Sequence, residues 1–480
     1  MLIMKKILSF LFILFAVFVA RAQCTDCSGA DIVLTSANNA GNYTFLPNKT
    51  YCINGTVTFN YTVTFGDNVT ICIPSGSVLA CGNGWASTGN LTSNLVTFNI
   101  SGKLYTPNTI PFTTAINIYN GGVLTGQNGS QWQGLDLNGD SLELSISSGG
   151  SMAYTYFNLD DIDTAVIVNE GSITLNYNDL SVGGCLLNLT NSGIMNIGGN
   201  FNIGTNNGSN IINNSGKINI TGEMNSQSTK LELYNYGDGE CVMVGNMKYG
   251  SNGPNKFENY GVFSCNGLYS TDPTLHMKNE GEMSTHANYD DTVGSFFSNC
   301  GTLHMSQNWA NLQGTIINTG DMTVVQSSVA FASTGSIENY STMSLQGITM
   351  GGGGVFYNEG YVEFTSSSVY DVKFYGPGSA NQPAHSTSSN YGQFVLHGTS
   401  NGGAILKGNL NFLNNNGAST QSGCFGSISD MDSTVTFGTC ASCTVVTDYD
   451  QCANADGTWP ETGLDCLPLN RHIRSFFTGS

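Results

Sequence analysis

The chain has 480 residues, 60 of them glycine, nearly twice the usual share of about 7%, while charged residues fall to 10% where about 25% is usual. A formal net charge of −19 excludes nucleic acid and other polyanions as natural partners, and 40% hydrophobic residues are too many for a disordered chain. Arginine occurs only at Arg21, Arg471 and Arg474, so the body of the chain lacks the fork that phosphate or carboxylate recognition usually employs.

Residues 1–22 read as a secretory signal: Lys5-Lys6, an apolar run from Ile7 to Ala20, and Ala20-Arg21-Ala22 as a small-x-small cleavage site. The run falls short of the roughly 20 residues of a membrane span, so cleavage is expected and the exported part would begin at Gln23. Secretion into an extracellular, cell-surface or periplasmic space makes the 14 cysteines disulfide candidates. Cys24, Cys27, Cys52, Cys72 and Cys81 cluster near the start, and Cys424, Cys440, Cys443, Cys452 and Cys466 near the end. Segments 23–81 and 424–466 are therefore expected as Cys-rich caps, with a tail over 467–480. Cys265 is expected to be a core thiol, and Cys300 faces outward, either paired or free.

Between the caps, over residues 82–423, one pattern repeats: apolar-x-Asn-x-Gly-x-apolar-x-apolar. Its Asn recurs at Asn120, Asn169, Asn191, Asn214, Asn235, Asn259, Asn279, Asn299, Asn318, Asn339 and Asn358. Gly follows two places later except at Ser341, and Gly149-Gly150-Ser151-Met152 fills the one double-length interval as a degenerate copy. A period of about 21 residues signals a solenoid. After each Gly, apolar residues alternate (Ile173/Leu175, Met195/Ile197, Ile218/Ile220, Leu303/Met305, Val362/Phe364), which predicts strands with one buried face. The Asn-x-Gly step is expected to be the corner, with left-handed backbone at Asn or Gly and a ladder of Asn amides between coils. The fold predicted is all-β: a single-stranded parallel β-helix, right-handed by the usual chirality of parallel crossovers, of about sixteen coils spaced about 4.8 Å apart with disulfide-rich end caps.

Polysaccharide enzymes on such folds need carboxylates about 5–9.5 Å apart in neighbouring coils, or Ca²⁺ with a strong base. At the x of Asn-x-Gly no two acids fall in neighbouring coils, and the column three residues after the Gly is a small-polar ladder (Thr174, Asn196, Asn219, Ser264, Ser284, His304, Thr323, Ser344, Glu363). It is too mixed for an ice-binding threonine array. Asp160, Asp161 and Asp163, and Asp290 and Asp291, are weak Ca²⁺ candidates that read better as solvated loops, so no metal or other cofactor is expected. His276, His286 and His304 have different repeat offsets and are expected to point apart, and Gly351–Gly354 lacks the Lys and Ser/Thr of a phosphate loop. What stands out is Tyr236, Tyr260 and Tyr340 on a polar face, suited to stacking and hydrogen bonding with sugars or another surface.

The signal ending before Gln23, the Asn-x-Gly solenoid and the run Cys466-Leu467-Pro468-Leu469-Asn470 together resemble secreted, adhesin-like surface proteins of Bacteroidota. In that group a Cys-Leu-Pro-apolar start leads into a β-sandwich segment and a type IX secretion sorting domain; here Arg471-His472-Ile473-Arg474 stands in their place. The resemblance implies a non-enzymatic adhesin or surface structural element with polysaccharide or a cell-surface component as partner. The alternative is a carbohydrate-active β-helix enzyme, a polysaccharide lyase or glycoside hydrolase, for which only fold analogy speaks.

Overall fold

The structure, a computed structural model, describes residues 25–350 apart from positions 40, 83, 88–94, 128–132, 205–207, 227–228, 251–252, 287–288, 292–294, 307–308, 311–312 and 331–334, together with the backbone of the strands between Val355–Asn358 and Thr436–Thr439. Residues 1–22, expected from the sequence to be a signal, Cys24 and the cysteines at 424, 440, 443, 452 and 466 lie outside the described residues. The chain divides into two units, residues 1–177 and 178–480. The one helical element given complete by the described residues is a 3-10 turn, Ser36–Asn38, capped by Thr35.

In the first unit a parallel sheet runs from Ile32–Leu34 through Thr50–Ile53, Val69–Ile73, Val96–Ile100, Thr114–Ile118 and Ser141–Ile146 to Thr164–Asn169. A second runs from Thr56–Phe59 to Ser172–Leu175, and a third from Thr109–Ile110 to Phe157–Asn158. The second unit repeats the plan. Its first sheet extends from Leu186–Asn191 to Thr387–Asn390, its second from Ile194–Ile197 to Gln393–Leu396, and its third from Leu180–Val182 to Trp309–Ala310, every pairing parallel. The first coils use a separate parallel sheet, Tyr43–Phe45, Thr62–Phe65 and Gly84–Ser87, in place of the third; the coils from Thr109 to Ala310 visit the three sheets in turn, which is the predicted parallel β-solenoid. The alternating apolar residues face inward: Ile173, Met195, Ile218, Phe263, Leu303, Met322 and Met343 are all buried, and so is Cys265.

The Asn column holds the second unit together from inside. Asn191, Asn214, Asn235, Asn259, Asn279, Asn299, Asn318 and Asn339 are fully buried at the ends of successive first-sheet strands. Each Nδ2 donates to the Oδ1 of the next Asn at 2.7–2.8 Å, from Asn191 to Asn339. The same nitrogens reach backbone carbonyls, so Asn259 Nδ2 also bonds Gly261 O at 3.2 Å and Glu282 O at 3.0 Å. Amides are tolerated in this core because their hydrogen bonds are made within it. Asn358 occupies the same register, and Asn390 follows it, although their side chains lie outside the described residues. In the first unit the register position is apolar: Ile73, Ile100, Ile118 and Ile146 precede Asn169. Asn120 therefore does not belong to the ladder; it lies two residues past Ile118, exposed in a turn.

The corner glycines serve a purpose other than the one expected in the second unit. Left-handed backbone occurs at Gly55, Gly76, Gly121 and Gly149 of the first unit, whereas among the described residues none of the ladder asparagines or second-unit corner glycines adopts it. Those glycines permit close approach instead: an added Cβ would lie 2.2 Å from the preceding corner's carbonyl oxygen at Gly216, Gly261, Gly281 and Gly320, and 2.0 Å at Gly301. At Asn235 the motif's Gly237 is not the corner. Asn235 Nδ2 bonds Gly239 O, and Glu240 takes the strand position, so Gly237-Asp238 is a two-residue insertion that places Val242 in the polar column. A parallel glycine stack, Gly199, Gly222 and Gly245, builds a second corner that the Asn-x-Gly pattern does not reveal.

Cys27 and Cys52 form a disulfide, and Cys72 and Cys300 are each part of a further, separate disulfide. Cys81, expected among the bridging cysteines, is instead a buried thiol whose position is an inward strand site, and burial pushes its pKa up to about 12. Beside it Trp85 stacks on Phe98 and Phe112, filling the first coils with aromatic surface. Replacing Cys27 and Cys52 by Ser opens a loop with a separation of 25 residues. The expected cost is about 3.5 kcal/mol by the chain-entropy estimate, read as a lower urea midpoint for the first unit.

Candidate functional site

The outer face of the second unit's first sheet carries the side chains that alternate with the buried Asn ladder. Three consecutive strands bear one motif in shifting register: Lys230-x-Glu232-x-Tyr234 with Tyr236, Lys256-x-Glu258-x-Tyr260, and Lys278-x-Glu280. Pairing of the coils sets Glu232 beside Lys256, Tyr234 beside Glu258, and Glu258 beside Lys278. Opposite charges thus meet both along and across the strands. Lys230 pairs with Glu232 at 2.8 Å and Lys256 with Glu258 at 2.6 Å, and Lys278 pairs with Glu280.

The tyrosines are tied into this lattice. Tyr234 Oη donates to Glu232 at 2.8 Å, Tyr260 Oη to Glu258 at 2.8 Å, Tyr340 Oη to Glu338 at 3.0 Å, and Tyr236 Oη to Asn213 Oδ1 at 3.1 Å. Tyr236 and Tyr260 stack with centroids 6.4 Å apart and planes 8° from parallel. Lys256 Nζ lies 5.1 Å from the Tyr234 centroid and Lys278 Nζ 5.7 Å from that of Tyr260. The rings of Tyr234, Tyr236 and Tyr260 therefore each have one face covered by the following coil, by an ammonium or another ring.

Burial, then the neighbouring Glu232 and Glu258 carboxylates, raise the Tyr234 and Tyr260 phenols well above the usual tyrosine range. Burial alone would raise Glu232, but the Lys230 and Tyr234 hydrogen bonds outweigh it and hold that carboxyl below its usual range. For a tyrosine raised in the folded state, the neutral phenol is favoured on folding. That contribution is present below the unfolded value near 10 and is lost as pH climbs through the folded value. Alkaline titration followed at 295 nm is expected to show Tyr234 and Tyr260 ionising above the usual tyrosine range, and Glu232→Gln and Glu258→Gln to bring them earlier.

The structure brings Tyr236 and Tyr260 together and separates Tyr340 from them by Glu280, Cys300 and Thr319 along the column. Tyr234, Lys256, Glu258 and Lys278 were not anticipated, although the spacing Lys-x-Glu-x-Tyr just before the corner is their signature. Asp160, Asp161 and Asp163 are exposed in a turn around buried Ile162, and the Asp160 amide bonds Asn158 Oδ1. Asp290 and Asp291 pair in register with Tyr269 and Ser270 on the third sheet; their side chains lie outside the described residues. Among the described residues no group of three His, Cys, Asp or Glu is placed to hold a metal ion. His276 sits on the first sheet near Phe296, His304 on the second beside Ser284 and Thr323, and His286 past its strand near Ser264.

Glu232, Glu258 and Glu280 do occupy successive coils, as catalytic carboxylates would. Each is matched by a lysine, and a carboxyl held low, like that of Glu232, is a poor general acid. Comparison with protein-family models, with curated proteins and with solved structures found no match to this chain.

Proposed function

We propose that the chain is an exported, non-enzymatic β-solenoid that acts as an adhesin or surface structural element and binds polysaccharide. The observation that carries this reading is the outer face of the second unit, where Tyr234, Tyr236 and Tyr260, with their carboxylate and amide partners, stand on a sheet fixed by the internal Asn ladder. A fixed array of ring edges, phenols and amides presents many hydrogen-bonding groups with little ordering cost on binding. Pairing of the carboxylates with lysine favours binding over acid/base turnover.

A glycan array probed with the secreted full-length chain tests it. Retention on one or more polysaccharides is the expected result. Absence of binding to every glycan and to intact cell surfaces would leave the adhesive reading without support.

A further inference from the structure

The first two tyrosines of the stack have unlike sides. Lys256 covers Tyr234 and Tyr260 covers Tyr236, both from the following coil. In the preceding coil the register partner of Tyr234 is Asn213, and exposed Ser215 follows the Asn214 corner as Tyr236 follows Asn235. One coil earlier the same places hold Thr190 and Ser192, both exposed. Two tall rings thus rise directly behind a two-coil floor of small polar side chains. The rings lie within 14° of parallel with centroids 6.4 Å apart, and Tyr236 Oη is anchored to the floor at Asn213.

We propose that this step is a sugar-binding shelf. One pyranose ring of a neutral polysaccharide packs an apolar C–H face against Tyr234 and Tyr236 while its hydroxyls bond Asn213, Ser215 and Thr190. Neutral sugar is the class that fits, because the adjoining carboxylate, Glu232, is already engaged by Lys230, Tyr234 Oη and Ser209 Oγ. The shelf rests on the polysaccharide-binding reading and sharpens it to one place and one class.

The test immobilises the full-length secreted chain and titrates neutral glucan, galactan and mannan oligosaccharides, with a uronic-acid oligosaccharide alongside. Ser215→Trp fills the floor without removing a tyrosine, and Tyr236→Ala removes half the wall. Thr302→Trp, on the outer face of the second sheet, is the control. The expected result is binding of at least one neutral series, weakened about tenfold or more by Ser215→Trp and by Tyr236→Ala but not by Thr302→Trp. Binding of neutral sugar that ignores both shelf variants overturns the shelf and leaves the adhesin standing. Preference for the uronic acid overturns the neutral class, and absence of all binding removes the polysaccharide reading together with the shelf. Matching circular dichroism of the variants separates loss of binding from loss of fold.

Discussion

Asn259→Ala is expected to destabilise the middle of the second unit by about 3–5 kcal/mol. The side chain is fully buried, accepts from Asn235 Nδ2, and donates to Asn279 Oδ1, Gly261 O and Glu282 O. Alanine removes all four bonds at once, leaving buried acceptors with no water to replace the lost donor. Leucine would refill the volume and still orphan the same groups, so it is not expected to rescue. The contrast with the first unit is instructive: Ile73, Ile100, Ile118 and Ile146 show that an all-apolar column also works, because no polar group is left behind. Interruption is the costly event, not the absence of amides. Since a solenoid loses stability locally, hydrogen exchange is the suitable measurement, with amides of Lys230–Asn235, Lys256–Asn259 and His276–Asn279 exchanging about a hundredfold faster or more. Unchanged exchange there would contradict the ladder's role.

Gly301→Ala is expected to cost about 3–5 kcal/mol, because the new Cβ would stand 2.0 Å from Gly281 O, and that atom belongs to backbone fixed by the neighbouring coil. The unit at Asn235 supplies an internal control. At Gly239 an added Cβ would lie 2.4 Å from Asn235 Oδ1 and 2.6 Å from Asn214 O, while at Gly237 nothing lies within 4 Å. Thermal melts should therefore find Gly237→Ala within about 0.5 kcal/mol of the parent and Gly239→Ala severely impaired. The reverse order would mean that the motif's own glycine, and not the one two residues later, makes the corner.

These corrections mark how far the sequence could be read. Period-two apolar residues after each Asn-x-Gly determine strands, and a recurring buried Asn determines a ladder, so the solenoid and the ladder residues Asn191 to Asn339 were legible. Asn120 mimics the motif while lying beyond the true strand end, since a corner in the first unit is made by left-handed Gly121 followed by Gly122. The insertion after Tyr236 was concealed because Gly237 satisfies the Asn-x-Gly spacing although Gly239 makes the corner. Cys81 was grouped with bridging neighbours by proximity in sequence, although its alternation with Leu79 marks it as an inward core position. The Lys, Glu and Tyr lattice became visible only through strand register. Its charges oppose one another across coils that are 20 to 24 residues apart in sequence, and no pattern within one coil expresses that complementarity.

The central claim is that this face binds sugar without transforming it, with the carboxylates of Glu232, Glu258 and Glu280 serving their lysine and tyrosine neighbours. The most direct measurement incubates each glycan that the chain retains with the parent and with the triple variant Glu232→Gln, Glu258→Gln, Glu280→Gln, with and without Ca²⁺, and follows reducing ends and unsaturated products. The account predicts retention by the parent and no product from either protein. Product formed by the parent and lost in a folded triple variant would contradict it and assign those carboxylates to catalysis.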